Sequence, residues 1–121
     1  MKKQNVQYVV DKKNRVVIAT IDDCRWDAVD KINKKFIHQV TSQMEMEILP
    51  LSSDMLMPNR FKAVARCCPE DEWDENVGKR LACERLTEKY EKSLNRRMAR
   101  FMVDMNKVID EMSKYLEGKE L

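Results

Sequence analysis

The sequence predicts an α+β fold, in which a small antiparallel sheet in the order β-β-α-β-α is followed by a long C-terminal helix. Runs of β-branched and alternating residues near the start and the middle of the chain indicate the strands. Residues 74–117 contain no proline and a single glycine, Gly78, which indicates one continuous helix. A chain of 121 residues suffices for one core. We expect residues 1–90 to form the α+β domain and residues 91–121 to form a helical extension.

The first elements are a hairpin and a helix. Residues 6–10 and 16–21 are β-branched runs separated by a polar turn, which predicts an antiparallel pair. Asp22 or Asp23 then occupies the position of a helix N-cap. His38 projects from the polar side of this helix, where a solvated histidine is expected. The apolar side, at intervals of three and four, comprises Trp26, Val29, Ile32, Phe36 and Val40.

The middle of the chain predicts a central strand and the start of the long helix. Residues 44–49 alternate in polarity and allow an extra strand, whereas residues 61–68 alternate clearly until Pro69 ends the strand. Between 69 and 78 there are five acidic residues and no basic one, which favours a helix start through the helix dipole. The same residues are a candidate acidic contact surface: Glu70, Asp71, Glu72, Asp74 and Glu75.

The long helix carries an apolar stripe that requires a cover. Spacing at 100° per residue predicts that the apolar face changes sides near 86–90, and Gly78 is expected to let the helix approach the sheet closely. A heptad seam follows, widened by Met102, Ile109 and Leu116. A homodimer, the chain's own first helix, or a break at 89–95 that forms a helical hairpin would each cover it. We favour a homodimer through Leu94, Met98, Phe101, Met105, Val108, Met112 and Tyr115.

A cationic ridge lies on the opposite side of the same helix. Its members recur at intervals of three and four and span about 22 Å. Such a ridge fits an acidic protein surface or the phosphates of a nucleic acid, and no interleaved aromatic residue is present to stack on bases. The ridge comprises Arg85, Lys89, Lys92, Arg96 and Arg100.

The chemical inventory argues against an enzyme. Two glycines are too few for phosphate-binding loops, and no Cys-x-x-Cys spacing supports zinc. The single histidine is far in sequence from the cysteines, so a thiol or metal-dependent enzyme around Cys67, Cys68 and His38 is the weakest alternative. We therefore expect no catalytic residue, metal or cofactor. No apolar run approaches the ~20 residues of a membrane span and no signal-peptide pattern opens the chain, so we expect a cytoplasmic protein with reduced thiols and no membrane partner.

The segment 61–86 resembles a pattern in small uncharacterised proteins of bacteriophages and prophages. In this sequence it reads Lys-Ala-Val-Ala-Arg-Cys from Lys62, then Pro-Glu-Asp from Pro69, and Gly-Lys-Arg-Leu-Ala-Cys-Glu-Arg from Gly78. Cys68 departs from the small polar residue usual there. The resemblance implies a phage accessory protein in a bacterial host cell. We expect it to bind and occlude a protein, such as a host defence or replication component; the alternative is a nucleic-acid-binding protein that uses the cationic ridge.

Overall fold

The computed structural model describes residues 1–37 and 57–118 and confirms the α+β class. The predicted extra strand at 44–49, together with His38 and Val40, lies outside these residues. A 3-10 turn at Lys3–Asn5 precedes the first strand, and the helix α1 continues directly into a π-helix at Asn33–Ile37. The elements are β1 (Gln7–Asp11), β2 (Val16–Ile21), α1 (Cys24–Ile32), β3 (Phe61–Arg66) and α2 (Glu75–Leu116).

The three strands form one antiparallel sheet in the order β1-β2-β3. The turn between β1 and β2 is built as its polar sequence predicts. The Asp11 carboxylate accepts hydrogen bonds from the Asn14 backbone N–H at 3.1 Å and from its side-chain amide at 2.7 Å. Arg15 takes a φ of 57° and completes the reversal. The predicted hairpin is thus confirmed.

One face of the sheet packs against α2. Val17 on the central strand β2 pairs with Ala65 of β3, and Ala19 pairs with Ala63, and all four side chains are buried. These small alanines leave room for a helix to lie close to the strands. A Cβ added to Gly78 would meet Val17 Cγ2 at 2.7 Å, so the expectation that glycine permits a close approach is confirmed.

Helix α2 buries one continuous stripe, and the predicted change of sides near 86–90 is wrong. The fully buried side chains follow each other at intervals of four residues. Each such step advances about 40° around the helix, so the stripe winds gradually instead of switching. Its members are Ala82, Leu86, Tyr90 and Leu94.

The face that helix α1 presents to the core matches only part of the face that its spacing predicts. Trp26 is 69% exposed and Phe36 is 50% exposed, whereas Cys24, Ala28 and Ile32 are buried. Small residues at the first two of these positions allow close packing, and Phe36 lies in the π-helix, whose wider turn shifts its direction. Val29 and Ile32 are buried as predicted.

Helix α2 is unbroken over its 42 residues, about 63 Å at 1.5 Å per residue, so the alternative of a helical hairpin with a break at 89–95 is excluded. The core extends past residue 90, because Leu94 is only 4% exposed and Met98 and Phe101 pack against the buried cluster. Beyond residue 105 every described side chain of α2 is exposed.

Candidate binding surfaces on the long helix

The distal half of α2 exposes a stripe of large apolar side chains. Met112 is 60% exposed and Leu116 is 82% exposed. A shallow groove of about 310 Å³ lies between Val108, Met112 and Tyr115 on this surface. We call the distal stripe the set Met102, Met105, Val108, Ile109, Met112, Tyr115 and Leu116.

The predicted dimer interface therefore needs a correction at its proximal end. Leu94 lies inside the chain's own core and is not available to another molecule. Met98 and Phe101 are half-buried against the same core and offer only part of their surface. Met105 is half-buried, and the exposed part of the predicted seam begins at Val108, because the earlier turns pack against the chain's own core.

Two members of the cationic ridge are bound to the sheet edge. Arg85 Nη1 donates to the Val64 carbonyl at 2.8 Å, and Lys89 Nζ donates to the Lys62 carbonyl at 2.8 Å. Directly after β3, the Cys67 N–H donates to the Arg15 carbonyl in the hairpin. Because successive carbonyls of a strand point to alternate sides, those of Lys62 and Val64 point away from β2. An open strand edge is a template for unwanted pairing, and the two cations block it. The primary role of these two side chains is therefore structural.

The other ridge residues are exposed. Lys92 pairs with Glu88 at 3.2 Å, Arg100 approaches Asp104 at 3.8 Å, and both pairs are open to solvent. Exposed pairs of this kind contribute about 0–1 kcal/mol, so a binding partner can compete for these cations. A groove of about 370 Å³ lies between β3 and the turns of α2 from Arg85 to Lys92.

Strand β3 carries two further exposed cations, Lys62 and Arg66, that are not part of the predicted ridge. They alternate along the strand with Ala63 and Ala65, which are buried on the face that packs against α2. Their side chains therefore project from the opposite face of the sheet and do not extend the ridge. We call the exposed part of the ridge the cationic face: Lys92, Arg96 and Arg100.

The acidic block serves mainly as the start of α2. Asp74 is the N-cap, and its carboxylate accepts hydrogen bonds from the N–H groups of Asn76 at 3.0 Å and Val77 at 3.3 Å. Glu75 pairs with Lys79 at 3.3 Å in the first turn. The remaining members, Glu70, Asp71 and Glu72, are exposed in the loop before it. The interpretation as a helix start is confirmed for Asp74.

That loop is fastened to the hairpin by one guanidinium group. Arg15 Nη2 donates to the Cys68 carbonyl at 3.2 Å, to the Asp71 carbonyl, and to Cys67 Sγ at 3.2 Å. The Cys67 thiol in turn faces the carbonyls of Asp71 and Glu72 at 3.9 and 3.6 Å. The thiol is thus engaged in loop structure.

The buried thiol and phenol are held in their neutral forms. Burial, followed by the nearby Asp27 charge, raises the pKa of Cys24 to about 11. Burial raises the pKa of Tyr90 as well, and its hydroxyl donates to Asp27 at 2.9 Å. The Asp27 carboxylate also forms an ion pair with the N-terminal ammonium group of Met1, at 3.4 Å. All four cysteines are free, and the residues described contain no group of three side chains suited to a metal ion.

A groove of about 650 Å³ lies beside the start of α1 and contains four aspartates. Three of them already have a cationic partner. Asp22 pairs with Arg60 at 3.5 Å, Asp30 pairs with Lys34 at 3.1 Å, and Asp27 binds the N-terminus. Most of the negative charge of this groove is therefore paired within the chain.

Taken together, the described elements define a small α+β protein whose last helix extends beyond its core. Comparison with protein-family models, with curated proteins and with solved structures found no match. Within residues 1–37 and 57–118, no helix is both long and apolar enough to span a membrane.

Proposed function

We propose that this chain is a non-enzymatic phage or prophage accessory protein of the bacterial cytoplasm that binds a macromolecular partner and occludes it. The observation that carries the proposal is the cationic face, in which three exposed cations line one side of the continuous helix α2. The partner is a protein with an acidic surface, such as a host defence or replication component. The resemblance in 61–86 supports the phage origin.

The geometry supports binding through charge. Arg85 and Lys89 fix α2 against β3, so the neighbouring cations keep their spacing without a partner. Opposite charges across an interface accelerate association and select partners by register. Arginine in particular makes bidentate contacts with carboxylates. The exposed loop carboxylates of the acidic block offer a second, smaller contact for a basic segment of the same partner.

Charge reversal tests the proposal. The double variant Arg96→Glu, Arg100→Glu removes two exposed cations from the face without touching the sheet-edge bonds. We expect this variant to lose a host protein that the wild type captures, with at least a tenfold weaker Kd in a titration of the purified pair. The matched control is Lys12→Glu, Lys13→Glu, which makes the same charge change at two exposed residues of the hairpin turn, outside α2. Equal binding by both double variants would contradict the proposal.

Nucleic acid is the alternative partner, and the regular spacing of the cations along α2 favours it. Contacts of this kind are sequence-independent and release counterions, so affinity falls steeply with salt. Titration with mixed-sequence DNA and RNA at two salt concentrations separates the two functions. Salt-sensitive binding that the Arg96→Glu, Arg100→Glu variant loses would support this alternative. Absence of binding at low salt would eliminate it.

We also propose that the protein is a homodimer through the distal half of α2. The exposed stripe supports this, because a wide apolar strip on a projecting helix is stabilised when another helix covers it. Light scattering should give twice the mass of the 14.4 kDa chain. Met112→Lys should halve that mass without unfolding the domain, since the side chain lies outside the core. A wild-type mass of one chain would refute the dimer. That result would not bear on binding by the cationic face.

A further inference from the structure

The distal stripe has a charged flank on one side and an apolar flank on the other. In the heptad that places Met105 and Met112 at position a, Val108 and Tyr115 fall at position d. Position e is apolar throughout the distal half, with Met102, Ile109 and Leu116. Position g is charged on the described part of the stripe, with Asp104 and Glu111. The two flanks are therefore not equivalent.

This asymmetry distinguishes the two ways of pairing a second copy. In a parallel pair, each g position lies beside an e position of the other helix. Asp104 would then face the partner's Ile109, and Glu111 would face the partner's Leu116. Both arrangements place a carboxylate against an apolar side chain and remove part of its hydration, and the partner helix supplies no cation in return. In an antiparallel pair e meets e and g meets g. The apolar flanks then cover one another, while the carboxylates of both copies share the other rim of the seam, which stays open to solvent.

The position of the folded domain gives a second reason to prefer an antiparallel pair. In a parallel pair the two tips lie together, far from both domains, and Leu116 remains at the rim. In an antiparallel pair each tip runs back toward the other copy's domain. The tip residues Tyr115 and Leu116 then lie against the turns of the partner helix near Met102 and Met105. The most exposed apolar side chains obtain the most cover in this orientation.

We propose that a second copy of this chain covers the distal stripe in an antiparallel arrangement centred near Ile109, with Ile109 beside the partner's Ile109 and Met102 beside the partner's Leu116. This inference rests on the proposed self-association and assigns its geometry. The two domains lie at opposite ends of the paired helices. Each cationic face, on the other side of α2, stays open for its own partner.

The available area suits such a pair. Six side chains of the stripe are between 44% and 82% exposed. At roughly 100 Å² for a large apolar side chain, they contribute about 600 Å² per copy. A stable interface buries about 800 Å² per partner, polar rim included. The apolar stripe alone thus supplies about three quarters of that area, and the flanking polar groups would have to supply the remainder.

Site-specific cross-linking tests the orientation. Cysteine is placed singly at Met102, Ile109 or Leu116 in a Cys68→Ser background, and each position is exposed enough to leave the fold intact. Residues 102 and 116 are about 21 Å apart along the helix axis, beyond the reach of a short bismaleimide. We expect Ile109→Cys to cross-link with itself, and Met102→Cys to cross-link with Leu116→Cys after the two proteins are mixed. Neither of the last two should cross-link alone.

The outcomes separate the possible covers. Efficient cross-linking of Met102→Cys with itself would show a parallel pair and overturn the inference while leaving the dimer intact. A monomeric mass, together with no cross-link above the Cys68→Ser parent, would overturn the dimer as well. In that event, protection of Met112→Cys from alkylation would indicate that the same chain covers the stripe. Binding of the host partner by the cationic face is scored separately, with the Arg96→Glu, Arg100→Glu variant.

Discussion

Because Gly78 lies so close to Val17, we predict that Gly78→Ala changes the unfolding free energy in opposite directions in the wild type and in a Val17→Ala background. Gly78→Ala should destabilise the wild-type protein, although alanine favours a helix by about 1 kcal/mol over glycine. The added Cβ would lie 2.7 Å from Val17 Cγ2, whereas carbon atoms in contact prefer about 3.5–4.0 Å. Val17 is fully buried on the central strand and its β-branched side chain has little freedom to turn.

The magnitude follows from two opposing terms. Overpacking a dense core costs about 1–3 kcal/mol, and so short a contact places Gly78→Ala in the upper half of that range. After the helix gain is subtracted, the net loss is about 1–2 kcal/mol. In a Val17→Ala background the nearest atom becomes Cβ of residue 17 at 3.5 Å, which is ordinary contact. There the same Gly78→Ala change should stabilise the protein by about 1 kcal/mol.

Urea unfolding of the four proteins in this cycle, followed by circular dichroism, measures both effects. The expected coupling energy is about 2–3 kcal/mol, well above the additivity error of distant sites. Asn106→Ala is the matched control, because it also improves helix propensity at an exposed position of α2 and should act alike in both backgrounds. A stabilising Gly78→Ala in the wild type, or the same sign in both backgrounds, would refute the reasoning.

Three further predictions concern the ends and the interior of the fold. Asp74→Ala should lower the unfolding free energy by about 1 kcal/mol because two N–H groups lose their cap, while Asp74→Asn should retain most of it in the same urea titration. Tyr90→Phe should cost about 1–2 kcal/mol, since the buried hydroxyl bond to Asp27 is lost, and should leave the helix content by circular dichroism unchanged. The raised pKa of Cys24 favours folding only while its thiol is neutral, so stability should be intact below pH 9 and fall as the pH rises through about 11; Cys24→Ala should flatten that slope in unfolding titrations across this range.

The sequence predicts most of the fold because its signals are local. The hairpin, the alternating strand and the capped start of α2 at Asp74 each depend on residues a few positions apart. The exposure of Trp26 was not predictable in this way, since which face of α1 packs depends on small residues and on the π-helix that follows. The hydrogen bonds from Arg85 and Lys89 to the edge of β3 could not be predicted either. Charge is visible in a sequence, but the carbonyls that accept these bonds lie more than 20 residues away.

The spacing of apolar residues along α2 changes where its surroundings change. From Ala82 to Met98 the core positions recur every four residues and form a single inclined ridge, which here faces the sheet and the rest of the core. From Phe101 to Tyr115 the intervals alternate between four and three, and their mean of 3.5 is the repeat of paired helices. The sequence turns from one pattern to the other within one turn of the point where the sheet and α1 cease to cover the helix. Exposure to solvent does not select for a repeat of 3.5 residues, whereas pairing with another helix does. The repeat therefore favours a helix as the cover of the distal half.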